Sequence, residues 1–273
     1  MARTASDGSA KRYRDAKLCQ VPIVHRHLMS LPPLHRTLEL CAFRALPALH
    51  AESYDGWLVR TAGGGPRRAN SVNVLDASTL PLEQKIDRCG HLMRTDGVVP
   101  TFRLTHHDVD PGLDAMLAAR GYERQDESIV MSLSLDDVFG GGVAIELVPA
   151  QWLSLLHEID QGSAERKRKH AALLERLTLP AIYGAIEEGA GYAAMGLAVL
   201  DGSMAGLFDV ATRPEARRRG HARRLTFALL EMARRRGAEL AYLQVVAANQ
   251  AAVALYADLG FEECYRYWYR VLP

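Results

Sequence analysis

The sequence predicts an α+β protein (α/β in three layers) in two tandem halves, each setting helices against a central sheet. Past Pro33, segments with the period of strands alternate with segments with the period of helices. A glycine-rich stretch, Asp136–Gly142, interrupts that alternation near the middle. The two halves also overlay at one offset of about 139 residues, the mark of an internal duplication. The division that follows is a leader over 1–33, a first domain over 34–138 and a second over 143–273.

The leader carries Lys11, Arg12, Arg14, Lys17 and Arg26 and has no clear apolar period, so it reads as a poorly packed basic tail. Met29 is an alternative start. In the first half, Asp55–Ala62 reads as a strand, Gly63–Pro66 as a hairpin loop and Ala69–Leu75 as a second strand. Leu82–Met93 is helical, Pro100–His106 is a strand, and Leu113–Arg120 is a helix stopped by Gly121. Ser128–Leu135 alternates as a strand. The second half gives a strand over Val143–Val148 and helices over Pro149–Ile159 and Ala164–Leu177. Strands follow over Ile182–Ile186, Tyr192–Leu200 and Met204–Thr212, the last two joined at Asp201-Gly202. In Ala222–Arg236, Leu225, Ala228, Leu229 and Met232 recur at helical spacing. Leu240–Val246 is a strand, Asn249 is a helix N-cap with Gly260 as the stop, and Phe261–Val271 closes the sheet.

The overlay is carried by particular segments. Ala115–Glu123 falls on Ala254–Glu262, Thr101–Thr105 on Leu240–Gln244, and the helix after Leu82 on the helix after His221. Composition bounds the rest. A chain of 273 residues, 48% hydrophobic, has room for two small cores. A formal net charge of +1 argues against a surface built for nucleic acid or an anionic membrane. No apolar run approaches the roughly 20 residues of a membrane span, and no signal-peptide core is visible. The expectation is a soluble, cytoplasmic protein. Cys19, Cys41, Cys89 and Cys264 are scattered, so free thiols are expected rather than disulfides or zinc. His106 and His107 are adjacent in a predicted strand, which puts them on opposite faces and leaves no metal site.

The segment Thr212–Ala222, TRPEARRRGHA, lies between a predicted strand and a predicted helix. Such a turn presents unpaired backbone N–H groups and the positive end of the helix dipole, which together cradle phosphate. Gly220 permits close approach and small Ala222 keeps the helix start open. Taken alone, a basic turn of this kind is equally well a solvated loop.

Arg217, Gly220 and Ala222 fill the Gln/Arg-x-x-Gly-x-Gly/Ala pattern of the pyrophosphate loop, and the segment resembles that loop in the GNAT superfamily of N-acetyltransferases. Downstream, Asn249 and Ala254–Phe261 (ALYADLGF) resemble the family's second signature in slightly shifted form. The resemblance implies two tandem GNAT-like domains, each a central mixed, mostly antiparallel sheet flanked by helices. It implies acetyl-CoA as cosubstrate, an amine as acceptor and direct attack in a ternary complex, with no metal. Val210, Ala211 and Thr212 would offer backbone groups to the pantetheine arm. Amides from Arg218 through Arg219, Gly220, His221 and Ala222 to Arg223 would hold the pyrophosphate, beside Arg217, and Asn249 would contact the arm. Tyr256 would give the departing thiolate a proton. A half-buried helix aromatic is the structural alternative for Tyr256.

The amine must lose a proton before it attacks. Many family members carry a Glu near the start of the central strand where this chain has Gly206. Asp209 is one residue out of phase and is expected to face away, and Glu165 is a second candidate. The cluster Arg213, Arg217, Arg218, Arg219, Arg223 and Arg224 suits CoA phosphates better than nucleic acid, because no stacking aromatics accompany it. In the first half Pro81 falls on Gly220 and Leu117 on Tyr256. That half is expected to be degenerate: a support, a wall of the acceptor cleft or a homodimer surface. A non-catalytic acyl-CoA-binding regulator is the alternative function.

Overall fold

A computed structural model describes residues 31–136, 143–160 and 162–273. The expected basic leader up to residue 30, Cys19 and the glycine-rich break at 137–142 lie outside the described residues. The chain runs α1 (Pro33–Ala45), β1 (His50–Tyr54), β2 (Trp57–Thr61), β3 (Ser71–Val74), α2 (Leu82–Thr95), β4 (Thr101–Thr105), α3 (Leu113–Ala119) and β5 (Glu123–Ser134). The second half follows as β6 (Ile145–Glu146), α4 (Pro149–Ile159), α5 (Ala164–Leu174), β7 (Ala181–Glu188), β8 (Gly191–Asp201), β9 (Met204–Thr212), α6 (His221–Arg235), β10 (Leu240–Val246), α7 (Gln250–Asp258) and β11 (Glu262–Val271). None of the described helices is long and apolar enough to cross a membrane.

All described strands join one sheet in the order β1-β2-β3-β4-β11-β5-β10-β9-β8-β7-β6. The order has a centre. β11 pairs antiparallel with β4, β5 pairs antiparallel with β10, and the two meet each other antiparallel (Val130 opposite Tyr265, Ser128 opposite Tyr267). Each half thus lends its last strand to the other. The sheet is mixed and mostly antiparallel; the parallel pairs are β3–β4 and β9–β10. The 139-residue offset that carries Leu82 onto His221 also carries Thr101 onto Leu240 and Glu123 onto Glu262, the first residues of matching elements.

Several boundaries differ from expectation for local reasons. Asp55-Gly56 is not strand but the tight turn between β1 and β2, with φ of 44° and 82°, the left-handed pair that an Asp-Gly hairpin turn needs. α1 was not anticipated. Pro33 starts it, and Leu38, Cys41, Ala42 and Ala45 form its buried stripe. Glu39 is buried beside that stripe, bound by Arg103 and the Tyr265 hydroxyl, which ties α1 to β4 and β11. β5 begins earlier than Ser128, because β11 extends its pairing to Glu123. α5 ends at Leu174, before Leu177. β4 stops at Thr105, so His106 and His107 sit in a turn with ring centroids 4.1 Å apart rather than on opposite faces. Cys41, Cys89 and Cys264 are free thiols.

The helix that positions the site is α6. Leu225, Ala228, Leu229 and Ala233 are buried on one face against β7 and β8. That approach needs glycine on the sheet. A Cβ on Gly184 would lie 2.7 Å from Leu229 Cδ2, and one on Gly196 3.1 Å from Leu229 Cδ1. The two leucines, worth about 1.5–3 kcal/mol each when buried, hold the start of α6 beside the end of β9.

Candidate active site

β9 and β10 begin as parallel neighbours and then part. Their register runs from Met204–Leu240 to Leu207–Leu243 and stops. Beyond it β9 stays paired to β8 through Met195–Ala211 and Ala194–Thr212, while β10 stays paired to β5. Val210, Ala211 and Thr212 therefore turn an unpaired backbone edge toward a gap bounded by Gln244 and Val246. Such an edge accepts an extended ligand as an added strand. A cleft of about 1630 Å³ occupies this gap.

At one end the gap meets the turn into α6. Arg218 has φ of 62° and Gly220 of 79°, and no side chain caps the helix. Arg224 donates to the Gly220 carbonyl at 3.0 Å, as the first backbone bond closing the helix. The amides before it point out of the helix start, where dipole and N–H groups favour an anion. A Cβ on Gly220 would meet nothing within 4 Å, so the turn opens onto free space. Arg217, Arg218, Gly220, His221, Ala222, Arg223 and Asn249 line the cleft. Arg219 does not; its guanidinium points to Glu188, 3.4 Å away. His221 is buried, with Nδ1 2.6 Å from Arg224 and Nε2 3.0 Å from Glu188. Its ring props the helix start while its amide faces the cleft end.

Tyr256 also lines the cleft, packed edge-on against Phe261. Burial pushes its hydroxyl up to about 12, so it stays protonated near neutral pH and has a proton to give. Asn249 caps α7 through the Ala252 amide at 3.2 Å and lines the cleft at that helix start. The residues expected around the cofactor arm and the thiol thus share one cleft with the phosphate turn.

Two expectations about the acceptor side change. Asp209 does not face away. A β-bulge slips the β8–β9 register between Met195 and Leu197, and Asp209 takes φ of 51°, which turns its carboxylate into the cleft. There it meets His170 Nε2 of α5 at 3.0 Å. Burial opposes its ionisation, but the His170 hydrogen bond and the charge of Arg68 outweigh this and hold the carboxyl below its ordinary range. Gly206, the position compared with the family's Glu, has no room for any side chain: a Cβ would lie 2.6 Å from the rings of Phe208 and Tyr242. Glu165 lines the cleft but is paired with Lys169 at 2.8 Å.

His170 was missed because no motif marks it in the charged run AERKRKH. Also missed were Tyr267, Tyr269 and Ser128, which reach the cleft only because the last strands are exchanged. The first-half loop Gly65–Arg68 closes the opposite wall. Buried Arg60 holds that loop by donating to the Arg68 carbonyl at 2.5 Å and to those of Phe43 and Leu46.

Comparison with known proteins gives this arrangement its family. The family model described as "Probable histone acetyltransferase Rv0428c C-terminal" matches residues 35–270. An N-acetyltransferase of Bacillus subtilis (strain 168) described as uncharacterized, YobR, is 27% identical over 248 residues, which is 86% of this chain and 98% of that one. Among solved structures, a GCN5-related N-acetyltransferase from Kribbella flavida aligns with TM-score 0.61 at 14% identity, covering 87% of this chain and 95% of its own. A tandem GNAT protein from the clavulanic acid biosynthesis pathway aligns with TM-score 0.56 at 16% identity, covering 90% and 98%. With a match that spans both halves, the chain belongs to this acetyltransferase family.

Proposed function

We propose that the protein transfers the acetyl group of acetyl-CoA to a primary amine by direct attack in a ternary complex. The observation that carries this is the parting of β9 from β10 beside an uncapped helix start. Val210, Ala211 and Thr212 bind the pantetheine arm through their backbone edge, and Asn249 meets it from α7. Amides from Arg218 to Arg223 grip the pyrophosphate, with the side chains of Arg217, Arg218 and Arg223 adding charge. An N–H of the strand ending at Thr212 receives the oxyanion that forms when the amine attacks. Tyr256 protonates the departing thiolate. We read 34–138 and 143–273 as two copies of one unit, the first of which no longer binds cofactor and walls the acceptor cleft.

The test is release of CoA thiol from acetyl-CoA across polyamines, aminoglycosides, peptide N-termini and lysine side chains, alongside a binding titration. Expected are turnover with at least one amine and one acetyl-CoA bound per chain. A protein that binds acetyl-CoA yet acetylates no amine is instead a regulator. One that does not bind it loses the reading altogether.

A further inference from the structure

Attack on the thioester needs a neutral amine, and an alkyl ammonium near neutral pH is almost wholly protonated. We propose that His170, oriented by Asp209, is the general base that takes this proton. The inference rests on the acetyl-transfer reading and adds to it a residue that carries no family motif. Three observations support it. Both side chains line the cleft that Tyr256 and Val210–Thr212 line. Asp209 immediately precedes that strand segment and owes its direction to the β-bulge and a left-handed backbone there, a conformation aspartate tolerates. Gly206, in the same strand, is closed to any carboxylate side chain by Phe208 and Tyr242.

With Asp209 ionised, His170 Nε2 carries the hydrogen that its carboxylate accepts at 3.0 Å. The lone pair is then on Nδ1, and the tautomer is fixed by its partner. The charged groups around it have partners of their own. On its own helix Lys169 is tied to Glu165, Arg166 to Asp160, and Lys167 to the His157 carbonyl. From α4, His157 lies with its ring 5.8 Å away, and burial holds it below its ordinary value. From the first half, Arg68 acts on Asp209.

The protons balance. One leaves the ammonium for His170 and passes to water. The freed nitrogen then forms the C–N bond, and the C–S bond breaks as Tyr256 gives its proton to sulfur. The second nitrogen proton, shed once the amide forms, replaces the one Tyr256 gave.

The experiment compares the full-length enzyme with His170→Ala, His170→Gln and Asp209→Asn. Acetyl-CoA binding is titrated first and is expected within about 3-fold of wild type in all of them. With the most active alkylamine of the panel, both His170 variants are expected to lose about 10²–10³-fold in kcat/KM near pH 7. The deficit should narrow to about 10-fold or less above about pH 10, where the amine frees itself. It should also narrow with hydroxylamine, which is already neutral at about pH 7. Asp209→Asn, a positioning change, should cost about 10-fold or more in kcat with KM little altered. His170 variants within about 3-fold of wild type overturn the proposal, as does a loss equal at every pH and with hydroxylamine, which would mean a structural role. A wild-type enzyme that binds acetyl-CoA and acetylates none of the amines overturns the acetyltransferase reading and the base with it.

Discussion

The two strand-to-helix turns of this chain occupy equivalent places and have opposite contents. In the second half, Gly220 opens the turn before α6, and the amides there face a cleft. In the first half, the turn before α2 is filled by the protein itself. The Asp55 carboxylate accepts from the amides of Thr79 and Leu80 at 2.9 Å each, and from the Thr79 hydroxyl at 2.5 Å. Asp110 accepts from the Ser78 amide at 2.6 Å. Buried Lys85 closes the cluster, 3.2 Å from Asp55 and over the Trp57 ring. Pro81 stands where Gly220 stands, with no N–H to offer. A helix start has unpaired amides and a positive dipole end; one half satisfies them with its own carboxylates and the other leaves them open to the cleft.

The largest effect that would break this comparison is at the other end of the cleft. Leu117, fully buried, takes the place of Tyr256 in the first half, so that half has no hydroxyl at this position. Tyr256→Phe should lower kcat by about 10²–10³-fold with acetyl-CoA affinity nearly unchanged, measured by thiol release and titration. Activity that survives this change would mean that solvent protonates the thiolate and that Tyr256 is only packing.

Gly220→Asp carries the first half's device into the second. A Cβ there meets open space, and Asp tolerates a left-handed backbone, so the fold should keep its melting temperature within a few degrees. The new carboxylate would compete for the phosphate's amides. Acetyl-CoA should bind about 100-fold more weakly, roughly 2.7 kcal/mol. Undiminished binding would place the pyrophosphate elsewhere.

How far the sequence reached follows the same contrast. The second-half turn was legible because Arg217, Gly220 and Ala222 fall within six residues, between a strand and a helix. The substitutes in the first half were legible only as losses. That Asp55 fills the turn depends on a hairpin 24 residues away, and reading Asp55-Gly56 as strand hid it. The exchange of β5 and β11 was equally invisible, since alternation says which residues face inward but not which neighbour they pair with. Asp209 shows the same limit in miniature: strand phase put it outside the cleft, and one bulged residue puts it in.

Asp55 itself gives the next test. Burial would raise its pKa, but hydrogen bonds from Thr79, Leu80 and Lys85 bring it down to about 2. Its folded value lies below the unfolded value of about 4. Its stabilisation is therefore fully present above about pH 4 and is lost as pH falls through 2. Asp55→Asn keeps the left-handed turn and should cost about 2 kcal/mol near neutral pH, read from urea midpoints. The gap from wild type should close toward about pH 2. A gap that is constant with pH would mean that the carboxylate's charge is not what satisfies the turn.

The smallest expected effect separates geometry from charge within the second-half turn. Arg218 and Arg223 line the cleft, whereas Arg219 points to Glu188 on an exposed face. Exposed pairs of this kind are worth about 0–1 kcal/mol, and the Arg219 backbone amide survives substitution. Arg219→Ala should therefore change acetyl-CoA affinity by less than about 3-fold, while Arg218→Ala and Arg223→Ala each weaken it more. Equal losses at all three, fading together as salt is raised, would show that the arginines act through their summed field. In that case the backbone amides alone would distinguish this turn from its filled counterpart.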